Sequence, residues 1–506
     1  MGLSKGRLPP RYRLLLLGLF ALVLYRIVSG FLMPLPLQVD EAQYLGWSYQ
    51  PSAGYYSKPP FVAWVLGLNR WVCQVAALDG VEGCARALQP VALLVAAVAA
   101  GLTSWVLFQS EKAGALTTAL LLCSPLFGFY SLFATTDAWL LMWWSVALCF
   151  FVLASNETNL FRTLFYWFLC GLALGFGLLT KYSMGVFLIS AVVWLVINKR
   201  LFSIGPWAAL ITATLIFLPN LLWNYEHGFP TFTHHVEIAQ FGDLAAKKWE
   251  LSRAIRTLLE FLAAQSMMLG PFVFVGFFVA IFRKNILTTP IFGEAYRLLC
   301  VFALPIFLII CAQAFLSRAH ANWASAAYVS IAIFVVGHWF VRPVPKPNNK
   351  ENWFFYGSLA IGIVCTAFFV HGLKFLYWDP RAPDVRALDN LRGWKEAALA
   401  LHKIAEEKKM AVVAEDRKLL AALHGYRGSH KVDVYAYDPS QSRNNHYSWF
   451  YGANQLARPE GTSVIWALVE KQETANVTGR RLVGIFPVGN HGDAVFAQVV
   501  ELRETP

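Results

Sequence analysis

The chain has 506 residues, of which 57% are hydrophobic, 15% aromatic and only 14% charged. Soluble globular proteins carry about 25% charged residues, so this composition excludes an ordinary soluble enzyme. The apolar content also excludes a disordered chain or a coiled coil, and eight cysteines are too few for a disulfide scaffold. On so apolar a chain, the net charge of +12 indicates membrane orientation rather than nucleic-acid binding. The sequence predicts a polytopic membrane protein.

Apolar runs long enough to cross a bilayer, which takes about 20 residues, recur along most of the chain. We predict about eleven crossings, at residues 12–32, 86–109, 113–131, 138–154, 163–180, 183–198, 204–223, 257–282, 295–316, 322–341 and 353–372. A further apolar stretch, 59–78, is interrupted by Asn69, Arg70 and Gln74. We interpret it as an interfacial helix.

The orientation follows from basic residues in short loops, which lie on the cytoplasmic side of a membrane. With an odd number of crossings, these residues share one side: Arg7, Arg11, Arg13, Lys112, Arg162, Lys199, Arg200, Arg283, Lys284, Arg342, Lys346 and Lys350. The remaining segment, from about 373 to 506, then lies on the outer side. The first apolar run has no small-residue cleavage site, so we predict an uncleaved anchor.

The segment 373–506 is charged and mixed in composition, unlike the rest of the chain. A helical pattern at 393–409 and a second at 416–423 alternate with short β-rich runs at 411–414, 432–437, 463–469, 481–487 and 493–500. This alternation predicts a small C-terminal α/β domain. We therefore predict a transmembrane domain at 1–372, with outer loops 33–85 and 224–256, and an outer α/β domain at 373–506.

The unusual residues are the ionisable ones predicted on the outer side. They are Asp40, Glu41, Lys58, Asp137, Lys181, His234, His235, Arg318 and His320. Their convergence on one membrane face predicts a site for an anionic substrate. Cys73 and Cys84 fall in the same outer region, where the sequence leaves open either a disulfide or two free thiols.

Each of these residues also has a purely structural explanation. Asp40 follows a helix end and is explained by solvation alone. Asp137 suits the first turn of a helix, and Lys181 or Arg318 the end of one, because each charge then complements the helix dipole. The His234–His235 pair lacks a third ligand for zinc, and Lys58-Pro-Pro can simply break a helix.

Taken together, the outward residues suit transfer from a phosphate-bearing lipid. Lys58, Lys181 and Arg318 supply fixed positive charge for a phosphate leaving group, while Asp40 or Asp137 can serve as general base toward an acceptor hydroxyl. Aromatic side chains beside the loop suit sugar stacking and equally suit an interfacial belt: Tyr44, Trp47, Tyr49, Tyr55 and Tyr56.

The order of these motifs resembles the bacterial GT-C glycosyltransferases, relatives of the protein O-mannosyltransferases and of the lipid A aminoarabinose transferase. The resemblance covers about the first 330 residues and rests on residues 39–44, 54–64, 135–137, 177–183 and 317–323. It implies a GT-C fold and a polyprenyl-phosphate-sugar donor, with undecaprenyl phosphate as the carrier. It also implies that the transmembrane domain at 1–372 is catalytic and lies in the bacterial inner membrane, with the active site and the domain at 373–506 in the periplasm.

The resemblance also implies roles for individual residues. Asp40 is the leading catalytic carboxylate, with Glu41 and Asp137 beside it. The donor phosphate is bound by Lys58, Lys181 and Arg318, and the substrate by Tyr44, Tyr55, Tyr56 and His320. Aminoarabinose transferases carry a metal-binding Glu before the Lys-Pro-Pro motif, whereas this chain has Ser57. We therefore assign no metal-binding residue and name no cofactor, and the sequence leaves a divalent metal open.

The sequence thus predicts an integral-membrane glycosyltransferase that acts at the periplasmic face on lipid A, lipopolysaccharide, another glycan or a protein. The alternative is a multi-span transporter or lipid flippase. Transporters place ionisable residues near the bilayer midplane, often in two repeated halves. Here these residues cluster at outer helix ends and the sequence has no internal repeat, so we favour the enzyme.

Overall fold

The computed structural model describes residues 10–32, 34–238, 250–283, 286–341, 349–379, 385, 388, 391–438, 445–452, 463–471, 481–489 and 493–501. In chain order the α-helices are α1 (Pro10–Phe31), α2 (Val39–Trp47), α3 (Phe61–Val75), α4 (Val81–Arg86), α5 (Gln89–Phe108), α6 (Glu111–Leu122), α7 (Pro125–Tyr130), α8 (Thr136–Asn156), α9 (Leu160–Thr180), α10 (Gly185–Ile197), α11 (Ile204–Glu226), α12 (Pro230–Ile238), α13 (Leu251–Leu269), α14 (Pro271–Ile281), α15 (Gly293–Leu316), α16 (Ala327–Phe340), α17 (Asn349–Ala367), α18 (Leu373–Trp378), α19 (Trp394–Lys408), α20 (Arg417–Gly425) and α21 (His446–Phe450).

The remaining regular segments are short 3₁₀ turns, one π-helical turn and five strands. The 3₁₀ turns are Tyr182–Met184, Ile286–Thr288 and Ala321–Ala324, and the π turn is Phe368–Gly372. The strands are β1 (Val412–Ala414), β2 (Val434–Ala436), β3 (Ser463–Lys471), β4 (Arg481–Val488) and β5 (Asp493–Glu501).

The chain divides into two compact units. The first, here called the helical unit, comprises Met1–Ser29 and Ala87–His371, and the second, the α/β unit, comprises Gly30–Arg86 and Gly372–Pro506. The predicted outer loop 33–85 therefore packs with the C-terminal segment. Part of the other predicted outer loop, residues 239–249, lies outside the described residues.

The predicted membrane crossings all fall on helical segments, in agreement with a multi-span membrane protein. Among the described residues, six helices are long and apolar enough to cross a bilayer, or seven if one bent pair counts as a single span. The count of eleven crossings stays a prediction. Several residues used to predict the orientation, among them Arg7, Lys284, Arg342 and Lys346, lie outside the described residues.

Two of the predicted crossings are broken helices. The run 257–282 is the bent pair of α13 and α14, which meet at an angle of 110°. The bend falls at Gly270, whose φ of +96° is a conformation that side chains rarely tolerate. The run 113–131 is interrupted between α6 and α7, where Ser124 accepts a hydrogen bond from the Phe127 amide and caps the new helix.

Close packing of α9 on α11 shows how helices of the helical unit meet. A Cβ atom at Gly171 would lie 2.5 Å from the carbonyl oxygen of Ala209. Only glycine allows this approach, as is common where helices pack in a membrane. Nearer the C-terminal end of α9, a Cβ atom at Gly175 would lie 2.7 Å from the Cβ atom of Ile216 on the same neighbouring helix.

A mixed five-stranded sheet of order β2-β1-β3-β5-β4 forms the centre of the C-terminal part of the α/β unit. The strand β1 pairs in parallel with β2 and β3, and β5 pairs antiparallel with β3 and β4. The predicted strands and the two predicted helices are confirmed. Asp416 begins α20 by accepting hydrogen bonds from the amides of Lys418 and Leu419, as an N-cap aspartate does.

The α/β unit also contains a disulfide between Cys73 and Cys84, whose Cα atoms are 6.1 Å apart. The structure thus decides between the two alternatives that the sequence left open. The other six cysteines are free, and four of them are buried. A structural disulfide between α3 and α4 is typical of an oxidising compartment.

The disulfide predicts the number of reactive thiols in the purified protein. After denaturation without reductant, an alkylating reagent should modify six cysteines, and after reduction it should modify all eight. Intact-mass spectrometry counts the adducts. In the Cys73→Ser variant, every remaining cysteine should react with or without reductant; eight adducts on the unreduced wild type would contradict the pairing.

Candidate active site

The predicted site residues fall into two groups, one in each unit. Asp40, Glu41, Tyr44, Tyr55, Tyr56 and Lys58 belong to the α/β unit, and Asp137, Lys181, Arg318 and His320 belong to the helical unit.

Asp137 is the centre of the group in the helical unit. It lies in the first turn of α8, and its Oδ1 accepts a hydrogen bond of 2.8 Å from Nζ of Lys181. Its Oδ2 accepts one of 3.0 Å from Nδ2 of Asn322. Only 7% of the Asp137 side chain and 12% of the Lys181 side chain are exposed. The structure thus brings two predicted residues together as a buried ion pair.

Three separate chain segments supply this cluster. Asp137 begins α8, Lys181 follows the last residue of α9, and Asn322 lies in the 3₁₀ turn after α15. A buried charge is tolerated only when it is paired and hydrogen-bonded, so Asp137 fixes the mutual positions of these three helix ends. Both of its oxygens are engaged, which favours a positioning role for Asp137 over proton transfer.

Arg318 and His320 lie on the segment that carries Asn322. Both side chains are exposed, and the His320 ring centroid is 5.2 Å from that of Trp323. Arg318 makes no ion pair with any residue that the structure describes. The same short segment therefore holds Asp137 in place and presents a cation to solvent, where an anion can reach it.

In the α/β unit, Glu41 forms a buried ion pair with Arg86. Its Oε1 and Oε2 accept hydrogen bonds of 2.8 and 2.7 Å from the guanidinium, and only 2% of its side chain is exposed. Oε2 also accepts from the Gln38 amide and so closes the first turn of α2. These contacts give Glu41 a structural role, and the catalytic role that the sequence predicts for it stays a prediction.

Asp40, the neighbouring carboxylate on α2, is in a different environment. Its side chain is 64% exposed, and Oδ1 accepts a hydrogen bond of 2.8 Å from Nη2 of Arg417. Arg417 is the first residue of α20, in the C-terminal segment. Of the two adjacent acids, Asp40 is therefore the one that a substrate can reach.

The predicted aromatic residues are core residues of the α/β unit. Tyr44, Tyr55 and Tyr56 expose only 5%, 4% and 6% of their surface. The Tyr55 ring stacks on Trp47 with centroids 4.4 Å apart, and burial raises the pKa of its phenol. Lys58 is half buried, and its carbonyl oxygen accepts from the Tyr55 amide. The tyrosines thus leave little ring surface for a sugar.

A family model for dolichyl-phosphate-mannose-protein mannosyltransferases matches residues 57–223. The lipid A galacturonosyltransferase RgtD of Rhizobium johnstonii is 30% identical over 324 residues, which are 63% of this chain and 64% of that protein. An undecaprenyl phosphate-alpha-4-amino-4-deoxy-L-arabinose arabinosyl transferase of Erwinia tasmaniensis is 29% identical over 188 residues, which are 36% of this chain and 32% of that protein. The chain thus matches less than two thirds of the length of each curated relative.

The structural likeness extends over nearly the whole chain. The crystal structure of ArnT from Cupriavidus metallidurans bound to undecaprenyl phosphate superposes with a TM-score of 0.64 and 15% identity, covering 95% of this chain and 97% of that one. The fold is that of the GT-C glycosyltransferases. The resemblance stated from the sequence motifs is therefore confirmed at the level of fold.

Within this GT-C fold, the residues present do not suit a metal ion. Ser57, at the position of the metal-binding Glu of aminoarabinose transferases, is buried, and its Oγ accepts a hydrogen bond of 3.3 Å from Nε2 of Gln43. Among the described residues, no group of three or more His, Cys, Asp or Glu side chains is arranged to hold a metal. We therefore assign no step to a metal, and metal dependence stays open.

Sequence reasoning missed Arg86, Asn322 and Arg417 as partners of the predicted acids. Asn322 lies within the motif 317–323, two residues after His320. Its side-chain amide was the available signal. Arg417 follows the N-cap residue Asp416 in the segment that the sequence predicts as a second helix. No neighbouring residue indicates that its partner is Asp40. Pairing between residues 377 positions apart is not visible in a single sequence.

Proposed function

We propose that the protein is an integral-membrane glycosyltransferase that moves a sugar from a polyprenyl-phosphate donor to a glycan, glycolipid or protein acceptor. The observation that carries this proposal is the Asp137–Lys181–Asn322 cluster in a helical unit of GT-C fold. Ionisable residues buried among apolar helices are costly and mark functional sites. The fold likeness over nearly the whole chain supports an enzyme rather than a transporter or flippase.

The names of the relatives support the choice of donor and acceptor. One relative is named for undecaprenyl phosphate, and a structure of similar fold contains that lipid. The other relative is a lipid A galacturonosyltransferase. We therefore propose undecaprenyl phosphate as the carrier and lipid A as the first acceptor to test.

Arg318 is our candidate for binding the donor phosphate. It is exposed and has no ion-pair partner among the described residues, and a guanidinium can donate two hydrogen bonds to one phosphate. Lys181 is already neutralised by Asp137 at 2.8 Å, so its main contribution is to hold the cluster. Lys58 remains a predicted phosphate ligand.

Asp40 is our candidate for the general base. When the sugar–phosphate bond breaks, an acceptor hydroxyl that attacks the sugar must lose its proton to a nearby carboxylate. Asp40 is exposed and only its Oδ1 is hydrogen-bonded within the described part of the chain, so Oδ2 is open to solvent. The proton goes to Asp40 and the negative charge leaves with the lipid phosphate.

We place the reaction at the periplasmic face of the bacterial inner membrane. The distribution of lysine and arginine in short loops supports this orientation. The Cys73–Cys84 disulfide in the unit that carries Asp40 also supports it, because disulfides persist in the periplasm. Nucleotide sugars are absent there, so a lipid-linked donor is required.

Replacing Asp40 tests the proposed base. The Asp40→Asn variant should lose about 10²–10⁴-fold in kcat, the usual contribution of a general base. The assay measures transfer of radiolabelled sugar from undecaprenyl phosphate to lipid A in proteoliposomes. Near-normal transfer by a monodisperse Asp40→Asn sample would contradict the assignment.

A matched control for this variant is Asp79→Asn. Asp79 is also an exposed carboxylate of the α/β unit, in the loop between α3 and α4. Its replacement removes the same charge, and transfer should stay within about twofold of the wild type because isolated surface substitutions have small effects.

Mass spectrometry of lipid A, glycolipids and proteins from cells with and without the gene identifies the sugar and the acceptor.

Replacing Arg318 tests the phosphate assignment. Loss of a hydrogen bond to a charged group should weaken undecaprenyl phosphate binding by about tenfold to a hundredfold in Arg318→Ala. Binding is measured by microscale thermophoresis in detergent. The control is Arg162→Ala, whose exposed arginine we predict on the cytoplasmic side; equal affinities of both variants would exclude Arg318 as a phosphate ligand.

A further inference from the structure

We propose that Arg417 of the C-terminal segment is a positioning residue for Asp40, so that the C-terminal segment takes part in the reaction. This inference rests on the proposed function, since it assigns a role to a partner of the proposed base. It starts from one contact: Nη2 of Arg417 donates to Oδ1 of Asp40 at 2.8 Å.

The contact belongs to a short network. The same Nη2 lies 3.4 Å from Oε1 of Gln43, and Nε2 of Gln43 donates to Oγ of Ser57 at 3.3 Å. Asp40 and Gln43 lie one turn apart on α2, and Ser57 precedes Lys58 in the following loop. Arg417 therefore links α20, α2 and the loop through side-chain atoms.

Two features fix Arg417 in place. Asp416 caps the first turn of α20, with its Oδ1 2.8 and 3.0 Å from the amide nitrogens of Lys418 and Leu419. At the other end of α20, a Cβ atom at Gly425 would lie 2.7 Å from the carbonyl oxygen of Ala42 on α2. The backbones of α20 and α2 thus meet directly, and the position of Arg417 relative to Asp40 follows from this packing.

Stability alone does not explain the pair. The Arg417 and Asp40 side chains are 51% and 64% exposed, and ion pairs in such positions contribute little to folding. Arg417 holds one carboxylate oxygen and leaves the other open, which restricts the side chain to an orientation in which Oδ2 can accept a proton. Catalysis by a general base depends on such orientation.

The first experiment separates orientation from binding. Arg417→Ala should lower kcat by about tenfold to a hundredfold, the effect of a slightly misplaced catalytic group, and leave KM for the donor within twofold. Arg417→Lys, which retains a charged donor, should recover part of kcat. An unchanged kcat would overturn the proposal, and so would a rise in donor KM alone, which would make Arg417 a donor ligand.

Two controls sharpen this result. Lys418→Ala removes the same charge at the next position of α20, where Nζ lies over the Trp394 ring at 5.5 Å, and should retain wild-type kcat. In an Asp40→Asn background, Arg417→Ala should cause no further loss, because its effect passes through Asp40. A further loss as large as in the wild-type background would overturn the proposal.

A readout without transfer distinguishes failure of this inference from failure of the proposed function. Carbodiimide and glycine ethyl ester label exposed carboxylates, and mass spectrometry quantifies the label on Asp40. Arg417→Ala should speed Asp40 labelling relative to wild type and Lys418→Ala. An unchanged labelling rate in Arg417→Ala would refute the Arg417–Asp40 pairing, whether or not the wild type transfers sugar. If Arg417→Ala is labelled faster but the wild type transfers no sugar, the proposed function is refuted instead.

Discussion

The α/β unit depends on charges that are buried and cannot remain unpaired. Glu41 and Arg86 form one such pair, and Arg86 also donates to the carbonyl oxygens of Leu35 and Pro36 at 2.8 and 3.0 Å. Glu82, 3% exposed, accepts from Lys395 at 2.6 Å. Removing one partner of a buried pair costs about 3–5 kcal/mol. The first pair joins α2 to α4, and the second joins α4 to the C-terminal segment, so together they fix the relative positions of these three parts.

That arrangement explains why two adjacent acids differ so much. Glu41 is buried and its carboxylate is paired with Arg86, whereas Asp40 is exposed and paired with Arg417. The helices α2 and α20 are closely packed, because a Cβ atom at Gly46 would lie 2.9 Å from the Cβ atom of His424. Burial also lowers the pKa of His424 to about 3. The C-terminal segment thus packs against α2, the helix that carries Asp40, and provides Arg417 as the ion-pair partner of Asp40.

Local pattern was enough to predict most elements but few of the contacts. Apolar runs located the long helices of the helical unit, and β-rich runs located the five described strands, because both follow from periodicity in a short window. The short helices α2, α12 and α21 were not predicted. The neighbours Asp137 and Lys181 were predicted on one face because each sits at a helix end. The bend at Gly270, the Glu41–Arg86 pair and the Asp40–Arg417 pair were not predicted, since they depend on packing between distant segments.

The tyrosines of the first loop suited sugar stacking by composition, yet the structure shows that Tyr44, Tyr55 and Tyr56 are buried.

The predicted outer loop 33–85 and the C-terminal segment belong to one compact unit, in which the side chain of Asp40 is exposed. The most direct test is amide hydrogen exchange, followed by mass spectrometry, of the Glu41→Gln variant, which leaves Arg86 buried without its counter-charge. The account predicts that residues 39–47 and 417–425 lose protection together, while residues 136–156 of the helical unit keep theirs. Loss of protection in 39–47 alone, with α20 unchanged, would contradict it.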